Sequence, residues 1–182
     1  WDKARQAAKN IGEFYNFLRI DTPIVEMAEL FEKTVGKETD IVEKQMFFIK
    51  SKGGDRLVLR PEGTAPIVRA YFENGFSRFG HPLKLYYEGL MFRYEQPQAG
   101  RFRQFFQTGF EILGGENDPI YDAQAILVVY RLLEELRLKN FTVHINSIGC
   151  AKCRSAYQRK LENYYRKHQK QICKDCQRRL NV

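Results

Sequence analysis

The sequence predicts an α+β domain in which helices pack on an antiparallel sheet. The first observation behind this prediction is a hairpin in the middle of the chain. An aromatic and apolar run at 85–95 is followed by a run at 103–112 in which apolar and polar residues alternate with a period of two. Pro97 and Gly100 break the pattern between the runs and indicate a turn. The second observation is that segments on both sides of the hairpin have apolar residues at helical spacing.

The other elements follow from periodicity and from cap and turn residues. Asp2 is a plausible cap for the first helix, Gly36 ends the second, and Thr64 is a fair cap for the third. Pro23 has no amide donor, so the short extended piece around it suits the edge of a sheet. The predicted helices are 2–18, 27–35, 65–73, 118–136 and 154–172, and the predicted strands are 20–25, 46–49, 56–59, 85–95, 103–112 and 141–146.

The two faces of the second hairpin strand differ in chemistry. The mostly apolar face carries Gln104, Phe106, Thr108, Phe110 and Ile112. The other face carries Arg103, Phe105, Gln107, Gly109 and Glu111. In the first strand the same parity puts Arg93 and Glu95 on one face.

A solvated sheet face is the default interpretation of such polar alternation. Here Arg101 and Arg103 follow closely on the strand that contains Arg93, which concentrates three planar groups suited to anions. Phe105 offers a stacking ring and Gly109 a flat floor. We therefore predict a site of nucleotide size on this face.

Charge divides the 182-residue chain, whose net charge is +8. Residues 1–149 contain 20 Lys and Arg against 20 Asp and Glu, whereas residues 150–182 contain 10 Lys and Arg against only Glu162 and Asp175. This shift predicts a boundary near Gly149 between a core and a basic helical segment. No apolar run is long enough to span a membrane and no targeting segment is visible, so we expect a cytoplasmic location. Trp1 leads directly into a helical pattern without a methionine, which indicates a fragment.

Several separated segments resemble one family. FRYE and RFRQF, on either side of the hairpin loop, resemble motif 2 of class II aminoacyl-tRNA synthetases. LRPEGTAPIVRAY upstream and QTGFEILG downstream are similar to the histidyl-tRNA synthetase family in particular, and residues 22–49 resemble its motif 1 region. The resemblance implies a class II synthetase-like antiparallel sheet flanked by helices at 1–149 and the start of a small helical insertion domain at 150–182.

The same resemblance implies an activity and a set of roles. The family joins histidine to its tRNA through a histidyl-adenylate formed from ATP, with Mg²⁺ bridging the phosphates. Arg93 would be the catalytic residue, at the α-phosphate and the substrate carboxylate. The remaining ATP-binding residues would be Glu95 at the adenine edge, Arg101 and Arg103 near the outer phosphates, and Phe105 stacked on the ring.

Histidine would be bound by the RPEGT segment and by the sheet. Glu62 would face the ammonium group, and Glu111 would face the imidazole. The full set implied for histidine is Glu62, Gly63, Thr64, Arg93, Gln107 and Glu111. The family also implies a homodimer, with the segment around Pro23 at the interface. Its later parts, a motif 3 helix and an anticodon-binding domain, are not in this sequence, so we expect the isolated fragment to have little activity.

The basic segment has two interpretations, a solvated helix or a surface for the tRNA acceptor arm. Because the expected partner is a polyanion, we favour tRNA contact. The residues expected to track its phosphates are Arg159, Lys160, Arg166, Lys167 and Lys170.

Four cysteines in this segment are spaced C-x2-C-x19-C-x2-C, which fits zinc. A continuous helix between the pairs would hold them roughly 30 Å apart, which one tetrahedral site cannot span. We therefore expect reduced thiols and no bound metal, and the zinc alternative depends on a break in the helix.

Two other functions compete with the ligase. A non-catalytic paralogue that regulates ATP phosphoribosyltransferase in histidine biosynthesis shares the fold, but the RPEGT segment and the complete set of arginines favour the ligase. A pure RNA-binding module would leave the polar sheet face unexplained.

Overall fold

The computed structural model describes residues 1–36, 39–115, 118–147 and 149–180. The chain forms two compact units, Trp1–Lys139 and Asn140–Val182. The boundary expected from charge, near Gly149, therefore falls inside the second unit. Among the described residues, none of the helices combines the length and apolarity that crossing a membrane requires.

The first unit contains five α-helices and six strands in its described residues. The helices are α1 (Asp2–Phe14), α2 (Ala28–Phe31), which continues as a π-helical turn (Glu32–Gly36), α3 (Asp40–Lys44), α4 (Thr64–Glu73), which is followed by a 3₁₀ turn (Phe76–Phe79), and α5 (Pro119–Glu135). The strands are β1 (Leu18–Arg19), β2 (Val25–Met27), β3 (Phe47–Lys50), β4 (Arg56–Leu59), β5 (Leu83–Phe92) and β6 (Gln104–Leu113). The second unit contains α6 (Ala151–Lys167), a 3₁₀ turn (Gln169–Gln171) and α7 (Lys174–Arg179).

The predicted hairpin is the centre of the main sheet, whose strand order is β1-β5-β6. β5 and β6 are antiparallel over ten residue pairs, from Leu83 opposite Leu113 to Phe92 opposite Gln104. β1 adds to the edge of this sheet by pairing with β5 in parallel. A second, antiparallel sheet has the order β2-β4-β3. The predicted α+β class is confirmed.

Hydrophobic side chains pack against both faces of the main sheet. On one face Ile67 of α4 packs with Tyr87 and Met91 of β5, and Phe105 joins this cluster. On the other face Phe17 and Val128 pack with Tyr86, and Phe110 and Ile112 of β6 pack against them. The odd-numbered residues of β6 therefore face α4, and the even-numbered ones face α5.

Several predicted boundaries are wrong for local reasons. The first helix ends at Phe14 instead of residue 18, and Asn16 after it has a left-handed φ of 59°. Its N-cap is Trp1, with Asp2 in the first turn. The strand expected at 141–146 is irregular, and no described strand pairs with it. The strand expected at 85–95 ends at Phe92, where the chain turns into the loop.

The predicted basic helix, 154–172, is also interrupted. α6 begins earlier, with Cys150 as its N-cap, and ends at Lys167. A 3₁₀ turn then leads into α7. The amide Nε2 of Gln177 donates hydrogen bonds to the carbonyls of Gln169 and Ile172, and these bonds satisfy backbone groups that a continuing helix would have used. The helix therefore breaks, but only after α6 has separated the two cysteine pairs.

Candidate active site

The segment between β4 and α4 is held by a buried arginine. Arg60 is 7% exposed and donates hydrogen bonds to the Thr22 carbonyl at 2.7 Å and to the Leu90 carbonyl at 3.0 Å. A Cβ at Gly89 would collide with Nη2 of Arg60, so a larger residue there would displace the guanidinium. Arg60 thus ties the chain before β2 and the middle of β5 to the entrance of α4.

Glu62 caps α4, in place of the predicted cap Thr64. Its two carboxylate oxygens accept the backbone N–H groups of Thr64 at 2.6 Å and Ala65 at 2.9 Å. These are two of the donors that a helix N-terminus leaves free. Because Glu62 caps the helix, the Thr64 hydroxyl is left to donate to Glu111 Oε1 on β6, at 2.7 Å.

Tyr87 lies beneath this hydrogen bond and was not predicted as a site residue. Its ring fills the space between Gly63 and Gly109, and a Cβ on either glycine would collide with it. Gly109 is its direct partner across the hairpin. The signal in the sequence was this pair of glycines, but it points to a tyrosine only once the register and the position of α4 are known.

Burial governs ionisation in this cluster. Desolvation, together with the nearby carboxylates of Glu111 and Glu62, raises the pKa of Tyr87 to about 12, against a hydrogen bond with Thr64 that acts to lower it. Tyr87 is therefore a neutral hydroxyl at physiological pH. Burial also raises the pKa of Glu111 above its ordinary value, and the hydrogen bond from Thr64 opposes this shift.

Gln107 lies on the same face of β6, two residues before Gly109. Its carbonyl oxygen Oε1 is buried and has no hydrogen-bond partner in the described part of the chain. Buried amide oxygens are normally paired, because leaving one unpaired costs free energy. The Gln107 oxygen is thus an unpaired acceptor among the described residues, on the same face of β6 as Glu111.

Arg93 follows the end of β5, and the Nε side of its guanidinium group is held in place. Its Nε donates to the Pro61 carbonyl at 2.9 Å, and its guanidinium carbon lies 5.2 Å from the centroid of the Phe105 ring. Its Nη groups have no hydrogen-bond partner among the described residues. One edge and one face of the guanidinium are therefore held by other residues. Its two Nη groups remain available to bind an anion.

The loop between β5 and β6 brings three further predicted residues together. Arg101 Nη1 lies 3.5 Å from Glu95 Oε2, and Arg103 Nε donates to the Glu95 carbonyl at 3.3 Å. The Arg103 guanidinium carbon lies 4.3 Å from the centroid of Tyr94. Tyr94 in turn donates its N–H to the Gln45 carbonyl at 2.8 Å, which fixes the start of the loop.

A cleft of about 850 Å³ opens beside this loop, large enough for a nucleotide. Four predicted ATP-binding residues line it: Arg93, Glu95, Arg101 and Phe105. Arg103, the fifth predicted residue, is not among the lining residues, but its Nε donates to the carbonyl of Glu95, which does line the cleft. The residues predicted for histidine, Glu62, Gly63, Thr64 and Glu111, form a separate cluster around Tyr87 at the start of α4.

The basic residues of the second unit are all exposed. Arg166 differs from the others because its guanidinium pairs with Glu162 at 2.7 Å and donates to the Leu180 carbonyl at 3.0 Å. Arg166 therefore also connects α6 to the end of α7. Arg159, Lys160, Lys167 and Lys170, the other residues predicted to contact tRNA, are exposed as well.

The four cysteines are free thiols and exposed. Across the described ranges, no group of three or more histidine, cysteine or acidic side chains is placed to hold a metal ion. The 17 residues of α6, which make a helix roughly 25 Å long, lie between the two pairs along the chain.

Comparison with known proteins connects this geometry to one family. The family model described as histidyl-tRNA synthetase matches residues 2–164. A curated histidine–tRNA ligase of Thermosipho melanesiensis is 49% identical over 182 residues, which are 100% of this chain and 43% of that protein. The chain thus spans less than half the length of the curated relatives it matches.

Solved structures agree with the sequence relatives. The apo histidyl-tRNA synthetase of S. aureus has a TM-score of 0.77 at 35% identity, covering 100% of this chain and 42% of that one. A Bacillus halodurans structure is described as an ATP phosphoribosyltransferase regulatory subunit/histidyl-tRNA synthetase. It has a TM-score of 0.70 at 26% identity, and the match covers 94% of this chain and 47% of that one.

The contact between Tyr87 and Gly109 yields a stability prediction. We expect Gly109→Ala to lower the free energy of unfolding by about 1–3 kcal/mol, because the new methyl group overpacks the Tyr87 ring. Urea denaturation measures this change. Thr108→Ala, at an exposed position next along the strand, is the control and should cost less than about 0.5 kcal/mol. In a Tyr87→Ala background the cost of Gly109→Ala should vanish. An equal cost in both backgrounds would contradict the proposed contact.

Proposed function

The chain belongs to the histidyl-tRNA synthetase family, and we propose that the protein containing it joins histidine to its tRNA in two ATP-dependent steps. Histidine and ATP first form histidyl-adenylate and pyrophosphate. The histidyl group then passes to tRNA. The single observation that carries this proposal is the cleft in which Arg93, Arg101 and Phe105 meet, next to the cluster of Thr64, Tyr87 and Glu111.

The first step needs positioned charge more than it needs an acid or a base. The carboxylate of histidine is already a nucleophile, and it attacks the α-phosphorus of ATP as pyrophosphate leaves. Two negatively charged groups must therefore approach each other, and a preorganised cation lowers that barrier. Arg93 fits this role because Pro61 and Phe105 hold its guanidinium in position, while its two Nη groups remain free to bind an anion. Arg101 and Arg103 would neutralise the outer phosphates.

ATP would lie in the cleft with its adenine ring stacked on Phe105 and the edge of the adenine near Glu95. Glu95 is half-buried, and its Oε2 lies 3.5 Å from Arg101 Nη1 but has no hydrogen-bond partner in the described residues, which supports a polar contact with the adenine. Mg²⁺ is part of the substrate here. It would arrive with ATP, bound by phosphate oxygens and water, so the protein would need few residues to hold it.

Histidine would be bound by the cluster at the start of α4. Glu111 Oε1 already accepts from Thr64, so its carboxylate is oriented before the substrate arrives. An imidazole N–H would be the next donor to Glu111. The orphan oxygen of Gln107 supports a second polar contact. Glu62 would receive the ammonium group with the lone pairs that its helix cap leaves free.

The regulatory paralogue is the weaker alternative. The relative whose description includes a regulatory subunit is 26% identical, whereas the Thermosipho ligase is 49% identical. Arg93, Arg101 and Arg103, the three arginines that the proposed adenylation uses in this part of the protein, are all present.

We further propose a cytoplasmic homodimer. β2 lies at the edge of its sheet, close to Pro23. Val25 and Met27 in this strand are 41% and 46% exposed, an apolar edge that a second subunit would cover. This supports an interface at the segment that the sequence suggested.

Arg93→Ala tests the adenylation proposal directly. In the full-length protein we expect it to lower the rate of histidine-dependent ATP–pyrophosphate exchange at least about a hundredfold, the scale of losing one preorganised charge partner. Arg131→Ala is the control, since Arg131 lies on α5 and pairs with Glu134. Near-normal exchange in Arg93→Ala would remove Arg93 from the mechanism.

Glu111→Gln tests the assignment of the histidine pocket. Glutamine keeps the shape of the side chain and can still accept from Thr64, but it loses the charge that favours an imidazole donor. The KM for histidine should therefore rise much more than the KM for ATP, both measured by pyrophosphate exchange. Equal rises in the two constants would indicate a general structural role.

The basic segment is proposed to contact the tRNA acceptor arm. Replacing Arg159, Lys160 and Lys167 with glutamine should weaken tRNA binding and reduce its salt dependence, because fewer counterions are released. Pyrophosphate exchange should change little. A triple variant at Lys33, Lys50 and Lys52, in the first unit, removes the same charge and serves as the control. An unchanged affinity and salt slope would show that this segment does not bind RNA.

A further inference from the structure

Cys150 and Cys153 form a close pair of thiols at the start of α6. Their sulfur atoms are 3.4 Å apart, and the backbone N–H of Cys150 donates to Cys153 Sγ at 3.1 Å. Both residues are exposed. The pair is therefore accessible to a small reagent, and its two sulfurs already face each other.

The local sequence holds the two thiols in this arrangement. Cys150 is the N-cap of α6 and Cys153 is three residues further on, so both side chains lie on the first turn. Gly149 has a φ of +73°, and a Cβ at that position would lie 2.8 Å from Cys153 Sγ. The glycine therefore both makes the turn and leaves room for the second sulfur.

The two thiols also differ in acidity, which decides which of them attacks first. A hydrogen bond from the Cys153 backbone and the hydrogen bond between the two thiols lower the pKa of Cys150 below its ordinary value. A thiol with a lowered pKa supplies more thiolate at neutral pH, and the thiolate is the attacking species in disulfide exchange. Cys150 is thus the attacking sulfur and Cys153 the resolving one.

We propose that Cys150 and Cys153 are a redox-active dithiol that closes to an intramolecular disulfide by exchange with a low-molecular-weight disulfide. The Cys150 thiolate attacks one sulfur of the reagent, whose S–S bond breaks and releases one thiol. Cys153 then attacks Cys150 Sγ in the mixed disulfide and releases the second thiol. Two protein thiols are oxidised, one disulfide is reduced to two thiols, and the two protons leave with those thiols.

The geometry favours this closure over a shared zinc site. The sulfurs must move from 3.4 Å to a bond length of about 2.05 Å, which side-chain rotation on one helical turn provides. A four-thiolate zinc site would need Cys173 and Cys176 as well, and they follow the far end of α6, a helix roughly 25 Å long. Among the described residues no group of three or more such ligands is placed to hold a metal ion. The pair at Cys150 therefore acts without the second pair.

The test uses the full-length protein, reduced and freed of metal and reductant. It is equilibrated without oxygen in mixtures of glutathione and glutathione disulfide, quenched in acid, alkylated and digested. We expect the peptide with Cys150 and Cys153 to lose the mass of two hydrogen atoms and both alkylation sites. Cys153→Ser should stop at a mixed disulfide with glutathione on Cys150. The serine of Cys150→Ser keeps the helix cap, and this variant should not close.

The second pair provides the control that separates the alternatives. The double variant Cys173→Ser/Cys176→Ser should close its Cys150–Cys153 disulfide at the same glutathione ratio as the wild type. Thiols that stay reduced throughout, or glutathione attached to single cysteines of the wild type without ring closure, would overturn the proposal. One zinc per chain in the purified wild type, with all four thiols protected and the metal lost in the double variant, would overturn it in favour of a metal site.

Discussion

The ring of Tyr87 fixes how closely the start of α4 approaches the β5–β6 hairpin. It lies between Gly63 and Gly109, and neither position has room for a side chain. At this separation the Thr64 hydroxyl reaches Glu111 at 2.7 Å, and Glu62 caps the helix from the other side. A wider gap would break the Thr64–Glu111 bond, and a narrower one would exclude the ring. The geometry proposed for histidine binding therefore depends on one buried aromatic side chain.

Much of the fold was predictable because it follows from backbone geometry. Alternation in β6 requires odd and even residues to face opposite ways, and the structure confirms this with Phe105 on the α4 face and Phe110 on the other. The strand at Arg56–Leu59 was predicted at its observed bounds, since Pro61 stops it and a glycine turn precedes it. These features are local, so a single sequence contains the information that sets them.

Contacts between residues that are far apart in the sequence were not predictable in this way. Tyr87 and Gly63 meet only because α4 packs on the sheet, and no periodic pattern records that approach. Glu62 displaced Thr64 as the helix cap because its longer side chain reaches two N–H groups at once. The strand expected at 141–146 has suitable residues, but strands need partners, and its described neighbours offer none. The ligand roles came from the family resemblance, and they stay predictions.

The arginines of the cleft differ in how far they are organised before a ligand arrives. Arg93 is held by a hydrogen bond and an aromatic ring, so little side-chain entropy remains to be lost when an anion binds. Arg101 is 63% exposed, and its pairing with Glu95 at 3.5 Å is weak. A fixed charge can favour one geometry of the reacting phosphorus, whereas a mobile one can follow phosphates that enter and leave. The two environments therefore agree with the roles proposed for Arg93 in the chemical step and for Arg101 at the outer phosphates of ATP.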